Sequence, residues 1–179
     1  MTAIPLWRRI ALAALTLVAS TVLFHGQVAS AVVTRGDDAM RNGDRAAALR
    51  YYGRALALDP ASSRAADRFA FLLAIRHAPG DARTAVVIAT LALAHSPDDP
   101  ALLADRGFAE QRLRRWPAAR DDFARAGAQA RDARYDHLAG RVALHLGDRR
   151  GARQLFERAL TLDPRFGPAR VALEQLAWH

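Results

Sequence analysis

The stretch Gly43-Asp-Arg-Ala-Ala-Ala-Leu-Arg-Tyr-Tyr-Gly-Arg-Ala-Leu-Ala-Leu-Asp-Pro60 decides the fold, because it returns a hundred residues later as Gly147-Asp-Arg-Arg-Gly-Ala-Arg-Gln-Leu-Phe-Glu-Arg-Ala-Leu-Thr-Leu-Asp-Pro164. In both, a Gly-Asp pair is followed by an alanine, an aromatic, a second alanine and a terminal proline at identical spacing: Ala48, Tyr52, Ala55, Pro60 and Ala152, Phe156, Ala159, Pro164. Two further copies lie between them. Gly80-Asp81 precedes Ala85, Ala89, Ala92 and Pro97, and Arg115-Trp116 precedes Ala119, Phe123 and Ala126. Upstream of each copy stands a small residue in a helix-compatible stretch: Gly36, Ala70, Gly107 and Gly140. Self-similarity at a period of about 34 residues signals a stacked repeat architecture.

Each recurring residue has a physical reason. Glycine after a first helix takes the left-handed conformation that ends it, and aspartate accepts hydrogen bonds from the free amides that open the second. Ala48, Ala85, Ala119 and Ala152 fit where two helices cross closely, and a larger side chain there forces them apart. The aromatic falls four residues later and the next alanine three after that, which puts knob and hole on one apolar face. Leu58-Asp59-Pro60 and Leu162-Asp163-Pro164 stop the second helices, since proline cannot continue one. Asp99-Pro100 suits the cap and first position of the next helix.

These residues resemble the tetratricopeptide repeat family, which has a small residue, alanine, aromatic, alanine and proline at these repeat positions. The resemblance implies an all-α, right-handed solenoid of about four helical hairpins with a C-terminal capping helix. Repeats are expected at about 29–62, 63–99, 100–132 and 133–166, and a capping helix at 168–178. Three departures stand out: Ala89 replaces the aromatic of the second repeat, Arg131 the proline of the third, and Asp136 a large apolar residue of the fourth. The second repeat also carries extra turn residues around His77-Ala78-Pro79-Gly80 and is expected to be the weakest.

Ahead of the repeats, Met1–Phe24 combines Arg8-Arg9 with the apolar run Ile10–Phe24, and no acidic residue precedes Asp37. That pattern reads as an export signal. Ala29-Ser30-Ala31 offers small residues for cleavage, so residues 1–31 are expected to be a signal peptide, or alternatively an uncleaved anchor, and 32–179 the repeat domain. Export places the domain in the periplasm or at the outer face of the inner membrane, and membrane contact is expected only through the N-terminal segment.

The chain has 179 residues, no cysteine and a formal net charge of +8 carried entirely by arginine. Lack of cysteine excludes disulfides, thiolate metal sites and cysteine nucleophiles. The positive balance reads as coding bias on solvated helix faces, and export argues against nucleic acid; nonspecific polyanion binding is the least favoured function. No phosphate-cradling loop, serine elbow or dinucleotide fingerprint is present. His137 and His145 are about two turns apart, too far for one tetrahedral metal site, and the pairs Asp98-Asp99 and Asp121-Asp122 do not face each other as helix neighbours. No catalytic residue, metal or cofactor is expected. Arg125 and Arg158 read as outward cations.

The resemblance further implies that first helices line a groove for a protein or peptide partner. Carrying over the family's groove positions gives Phe71, Ile75, Phe108, Gln111, Arg112, Arg134, His137, Arg141 and His145, with Phe71 and Phe108 as an apolar floor and Arg112 and Arg141 as a basic wall. Asp37 and Val33 stand where the chaperone-binding members clamp a terminal carboxylate, so that clamp is absent. The expected function is a non-catalytic adaptor in assembly or maturation of envelope or redox proteins; the alternative is a structural subunit of a membrane-anchored complex. Oligomeric state is not legible.

Overall fold

The protein, a computed structural model, is described at residues 6–76 and 78–177. Expectations resting on Met1, on the side chains of Arg8 and Arg9, on His77 and on Trp178 lie outside the described residues. All regular structure among those residues is helical: α1 (Leu6–Arg41), α2 (Arg45–Leu58), α3 (Ser63–Arg76), α4 (Asp81–His95), α5 (Pro100–Arg112), α6 (Trp116–Ala130), α7 (Ala133–His145), α8 (Arg149–Leu162) and α9 (Gly167–Ala177). The chain divides after Ala65 into two compact units.

In the first unit, α1 runs without a break through Ala31, the point where the sequence suggests a segment boundary. Nothing in Leu6–Arg41 interrupts a helix, since the stretch contains no proline and its glycines cost only propensity. Its C-terminal half already belongs to the repeat core, for Ala29 and Val33 are each 1% exposed. Upstream, Trp7, Leu15 and Phe24 are exposed. No helix among the described residues is long and apolar enough to cross a membrane. The α1–α2 turn forms as the sequence dictates: Gly43 has φ 80°, and the Asp44 carboxylate accepts from the Ala47 amide at 2.8 Å. Asp37 accepts from the Tyr52 hydroxyl at 2.8 Å and from Arg64 at 2.7 Å, so this residue ties three elements of the unit together.

The second unit repeats that hairpin with informative variations. Gly147 (φ 78°) and Asp148 reproduce the first turn, Asp148 accepting from Gly151 at 2.8 Å. The second repeat differs from expectation: Gly80, with φ 85°, is itself the cap, and Asp81 lies inside α4. Its carboxylate instead takes two bonds from Arg76, at 2.6 and 2.8 Å, and one from the Ala78 amide. Arg76 and those bonds hold the Asp81 carboxyl below the usual carboxylate range against the cost of burial. In the third repeat the left-handed turn position falls on Arg114, at φ 60°, where the other copies have glycine. Arg131, which replaces the expected proline, caps α6 in the left-handed region at φ 51°. Two different backbone devices thus end second helices: proline after an extended Asp59 or Asp163, and a left-handed arginine.

Knobs and holes pair across each hairpin. A Cβ added at Gly36 would meet the Tyr52 ring at 2.4 Å, one at Gly107 the Phe123 ring at 2.9 Å, and one at Gly140 the Phe156 ring at 2.4 Å. Those distances are far inside van der Waals contact, so each aromatic requires the glycine opposite. In the second repeat both partners change together, to Ala70 and Ala89, and both are fully buried. The departure from the family pattern at Ala89 is therefore matched by a complementary one at Ala70. Asp136, the third departure, is also fully buried; Arg158 binds both its oxygens and reaches the Ala124 carbonyl at 3.1 Å. Gly127 makes room for this carboxylate, since a Cβ there would lie 2.1 Å from its oxygen. Arg158 is consequently no outward solvated cation, and Arg125 likewise donates to the Pro97 carbonyl at 2.9 Å and to Asp98. α9 covers the last hairpin with Ala169, Ala172 and Leu176, and Arg149 of α8 donates to the Leu176 carbonyl.

Candidate functional site

The second unit carries a row of three adjoining cavities, and the first helices of its hairpins supply most of the lining. The first, of about 460 Å³, lies between α3 and α5 and is lined by Phe71, Ala74, Ile75, Phe108, Gln111, Arg112 and, from α6, Trp116. Phe108, Gln111 and Trp116 also border the second, of about 350 Å³, which Leu138, Arg141, Val142 and His145 of α7 complete. Arg141 in turn borders the third, of about 610 Å³, with His137, Leu144 and Phe156 on one side and Pro168, Val171 and Gln175 of α9 on the other. Shared walls make the row continuous from α3 to α9.

Why these side chains are left over for solvent follows from the hairpin. The faces of α5 and α7 that cross the second helices are made of Gly107, Ala109, Ala139, Gly140 and Ala143, all buried. Residues one position on, Phe108 and Arg141, then emerge beside the crossing rather than in it. Phe108 packs edge-on against Phe123 at 4.9 Å, which fixes its ring while one side faces the cavity. Phe71 and Ile75, one turn apart on α3, are 40% and 38% exposed, so the apolar floor is accessible.

Of the residues expected in the groove, Phe71, Ile75, Phe108, Gln111, Arg112, His137, Arg141 and His145 line the cavities, and Arg134 does not. Arg134 is held at the start of α7 by Asp132, with its closest contact at 2.6 Å, because that aspartate caps the helix two residues earlier. Arg112 needs a different reading as well. Its guanidinium donates to the carbonyls of Leu73 (3.1 Å) and Ala74 (2.9 Å), in the last turn of α3, where the helix end presents unpaired carbonyls and partial negative charge. It fastens α5 to α3 and is not a free cation of the wall. His145 packs against Trp116 in a tilted arrangement with centroids 3.9 Å apart. His137 packs against Phe156 and Phe166, and its buried Nδ1 has no hydrogen-bond partner. Burial first, and the Arg141 charge second, lower the His137 pKa below the ordinary imidazole value. Arg141 is thus the arginine among the described lining residues that neither a carboxylate nor a helix end occupies.

Sequence reasoning missed Trp116, which borders two cavities. It stands at the start of a second helix, outside the groove positions, and a tryptophan opening a short turn was the available signal. It missed Asp105 also. This carboxyl is 5% exposed, its Oδ2 lacks a partner, and desolvation, then the neighbouring Asp67, push its pKa up to about 9. The remaining adjacent acids are tied to arginines: Asp122 to Arg106 at 2.7 and 2.8 Å, Asp121 to Arg120. No group of three or more histidine and acidic side chains among the described residues is arranged to hold a metal.

Comparison with known proteins supports the repeat reading. The tetratricopeptide repeat model matches residues 29–62, which is the first hairpin. No curated protein matches the chain. Among solved structures, the chain is similar to the MamA protein (21% identity, TM-score 0.69, covering 80% of this chain and 78% of that one). It is also similar to pilF of Pseudomonas aeruginosa (19%, TM-score 0.72, covering 86% and 69%). A third likeness is to MamA of Desulfovibrio magneticus RS-1 (20%, TM-score 0.65, covering 76% of each). At these identities the likeness establishes the fold.

Proposed function

We propose that the chain, whose residues 29–62 match the tetratricopeptide repeat model and whose fold is shared with the solved structures above, is a non-catalytic adaptor for protein–protein contact whose second unit receives a polypeptide segment in the α3–α9 groove. One observation carries this reading: three cavities lined by first helices share walls into one accessible row, with an apolar floor at Phe71, Ile75 and Phe108. Repeat surfaces hold peptides in such concave rows, where buried aromatic anchors supply most of the energy. Capture of partners by the intact protein and by a Phe71→Glu, Ile75→Glu variant tests the proposal. Both side chains are more than a third exposed, so the variant should remain helical and lose its partners. Undiminished capture by a folded variant refutes it.

The place of action proposed is outside the cytoplasm, in the periplasm or at the outer face of the inner membrane, in assembly or maturation of envelope or redox proteins. Support comes from Arg8-Arg9, the Ile10–Phe24 run and the lack of acid before Asp37. A reporter enzyme active only after export, fused behind Ala177, gives the measurement; a fusion that is expressed but inactive refutes this part alone. A second reading, a subunit fixed within a membrane-anchored complex, draws on the exposed Trp7, Leu15 and Phe24 of α1.

A further inference from the structure

Accepting the groove as the binding site, we infer that its ligand is an extended segment with a bulky apolar side chain and a carboxylate about three residues apart. The first cavity is apolar, walled by Phe71, Ile75, Phe108 and Trp116. The next two cavities both include Arg141, and no described lining residue of any of the three is acidic. Most arginines that touch a hydrogen-bonding neighbour in this unit are spent: Arg76 on Asp81, Arg106 on Asp122, Arg112 on the end of α3, Arg158 on Asp136. Arg141 forms no hydrogen bond or ion pair with a described residue. It is exposed, yet it stands between two cavities and beside the buried, unpartnered Nδ1 of His137. An uncompensated guanidinium in a concave, acid-free site is complementary to a planar anion, which a carboxylate supplies in fork geometry.

The spacing follows from helix packing. The apolar cavity lies between α3 and α5 and the Arg141 cavity between α5 and α7, so their centres are one helix apart, about 8–10 Å. An extended chain of the polyproline II type advances about 3.1 Å per residue and turns once every three, so two side chains on one face and about 9 Å apart are three residues apart. A helical ligand would cover that distance in about six residues and would be too wide to seat between adjacent ridges on this scale.

The test uses the full chain and synthetic peptides in a glycine-serine background with one phenylalanine and one aspartate three apart, in both orders, each matched by an asparagine twin. Binding is followed through the indole N–H resonance of Trp116, one of three tryptophans in the sequence. The aspartate peptide of one order should bind at least about tenfold more tightly than its twin, as charge-assisted pairing implies. Arg141→Gln should abolish that preference while the Trp116 resonance still moves, and an aspartate seven residues away should show no preference. If no peptide moves Trp116, the groove reading fails and this inference with it. If aspartate and asparagine peptides move it equally, or the preference survives Arg141→Gln, the groove stands and the inference is overturned.

Discussion

Replacing Gly140 by alanine adds one methyl group where α7 crosses α8 closely. That Cβ would stand 2.4, 2.7 and 2.9 Å from three atoms of the Phe156 ring, against an ordinary carbon–carbon contact of about 3.5 to 4 Å. The ring must retreat by about 1 Å. It is fully buried and packed among Ala143, Ala152, Ala159, Ala169 and Ala172, so although it borders the third cavity a retreat of that size must disturb this packing. Overpacking of this kind costs about 1–3 kcal/mol, and removing glycine from a helix interior returns about 0.5–1 kcal/mol. The net expectation is a loss of about 1–2 kcal/mol. Phe156→Ala alone should cost about 3–5 kcal/mol through the cavity it leaves. The double variant reproduces what the second repeat already has at Ala70 and Ala89. It should therefore be no less stable than Phe156→Ala, and the two changes should couple by about 2–3 kcal/mol. Urea unfolding followed by circular dichroism at several wavelengths, with midpoints compared, supplies the numbers. A neutral or stabilising Gly140→Ala, or strictly additive losses in the double variant, would refute the pairing of knob and hole.

Asp105 gives the domain a pH dependence of known sign. Its folded pKa of about 9 lies above the ordinary 3.8, so its contribution is complete below about pH 4 and declines as pH rises toward 9. Asp105→Asn should flatten that decline and raise stability at pH 8; parallel curves for variant and parent count against the burial argument. Arg114→Gly should stabilise the third turn by up to about 1 kcal/mol, because the φ of 60° costs arginine strain that glycine does not carry; a loss in thermal melting would contradict this. Arg112→Ala should lower the melting temperature through release of the α3 carbonyls, whereas Arg141→Ala should leave it unchanged. Equal effects would mean that Arg112 is a groove cation after all. Arg153, exposed on α8, serves as a charge-matched control; Arg125 and Arg158 cannot, because both are hydrogen-bonded within the fold.

Much of the hairpin is legible because its signals are local. Gly43, Gly147, Asp44, Asp148 and Asp99 act within three residues of themselves, so spacing alone reveals their turns and caps. The aromatic knobs at Tyr52, Phe123 and Phe156 are legible for the same reason, one helix turn from the crossing alanine. The partners of long arginines are not local. Arg112 reaches carbonyls 38 and 39 residues away and Arg158 an aspartate 22 away, and no periodicity encodes which end of a flexible stem finds which acceptor. This is why the basic wall reduces from two arginines to Arg141. Asp81 misleads differently: it stands at the spacing of a cap, but Pro79 and the longer turn shift the start of α4 by one residue, and Arg76 captures the carboxylate instead. Asp105 looks solvated in sequence because its burial depends on how α5 packs, and helix-face arithmetic places it beside Arg106 without showing which of the two turns inward.

The uninterrupted α1 has a consequence for phase. Its 36 residues span about 54 Å as one rod, and each residue turns the rod by about 100°. Whatever grips the stretch from Trp7 to Phe24 therefore fixes the azimuth at which Ala29, Val33 and Gly36 present themselves to α2. One residue inserted near Gly26 would swing the first hairpin a quarter-turn or more about that axis without altering a single contact inside it. Seven inserted residues would return it to within about 20° of its original bearing, displaced by about 10 Å along the rod. The length and the angular setting of this helix are thus separately adjustable, and an insertion series through Gly26 reads one against the other.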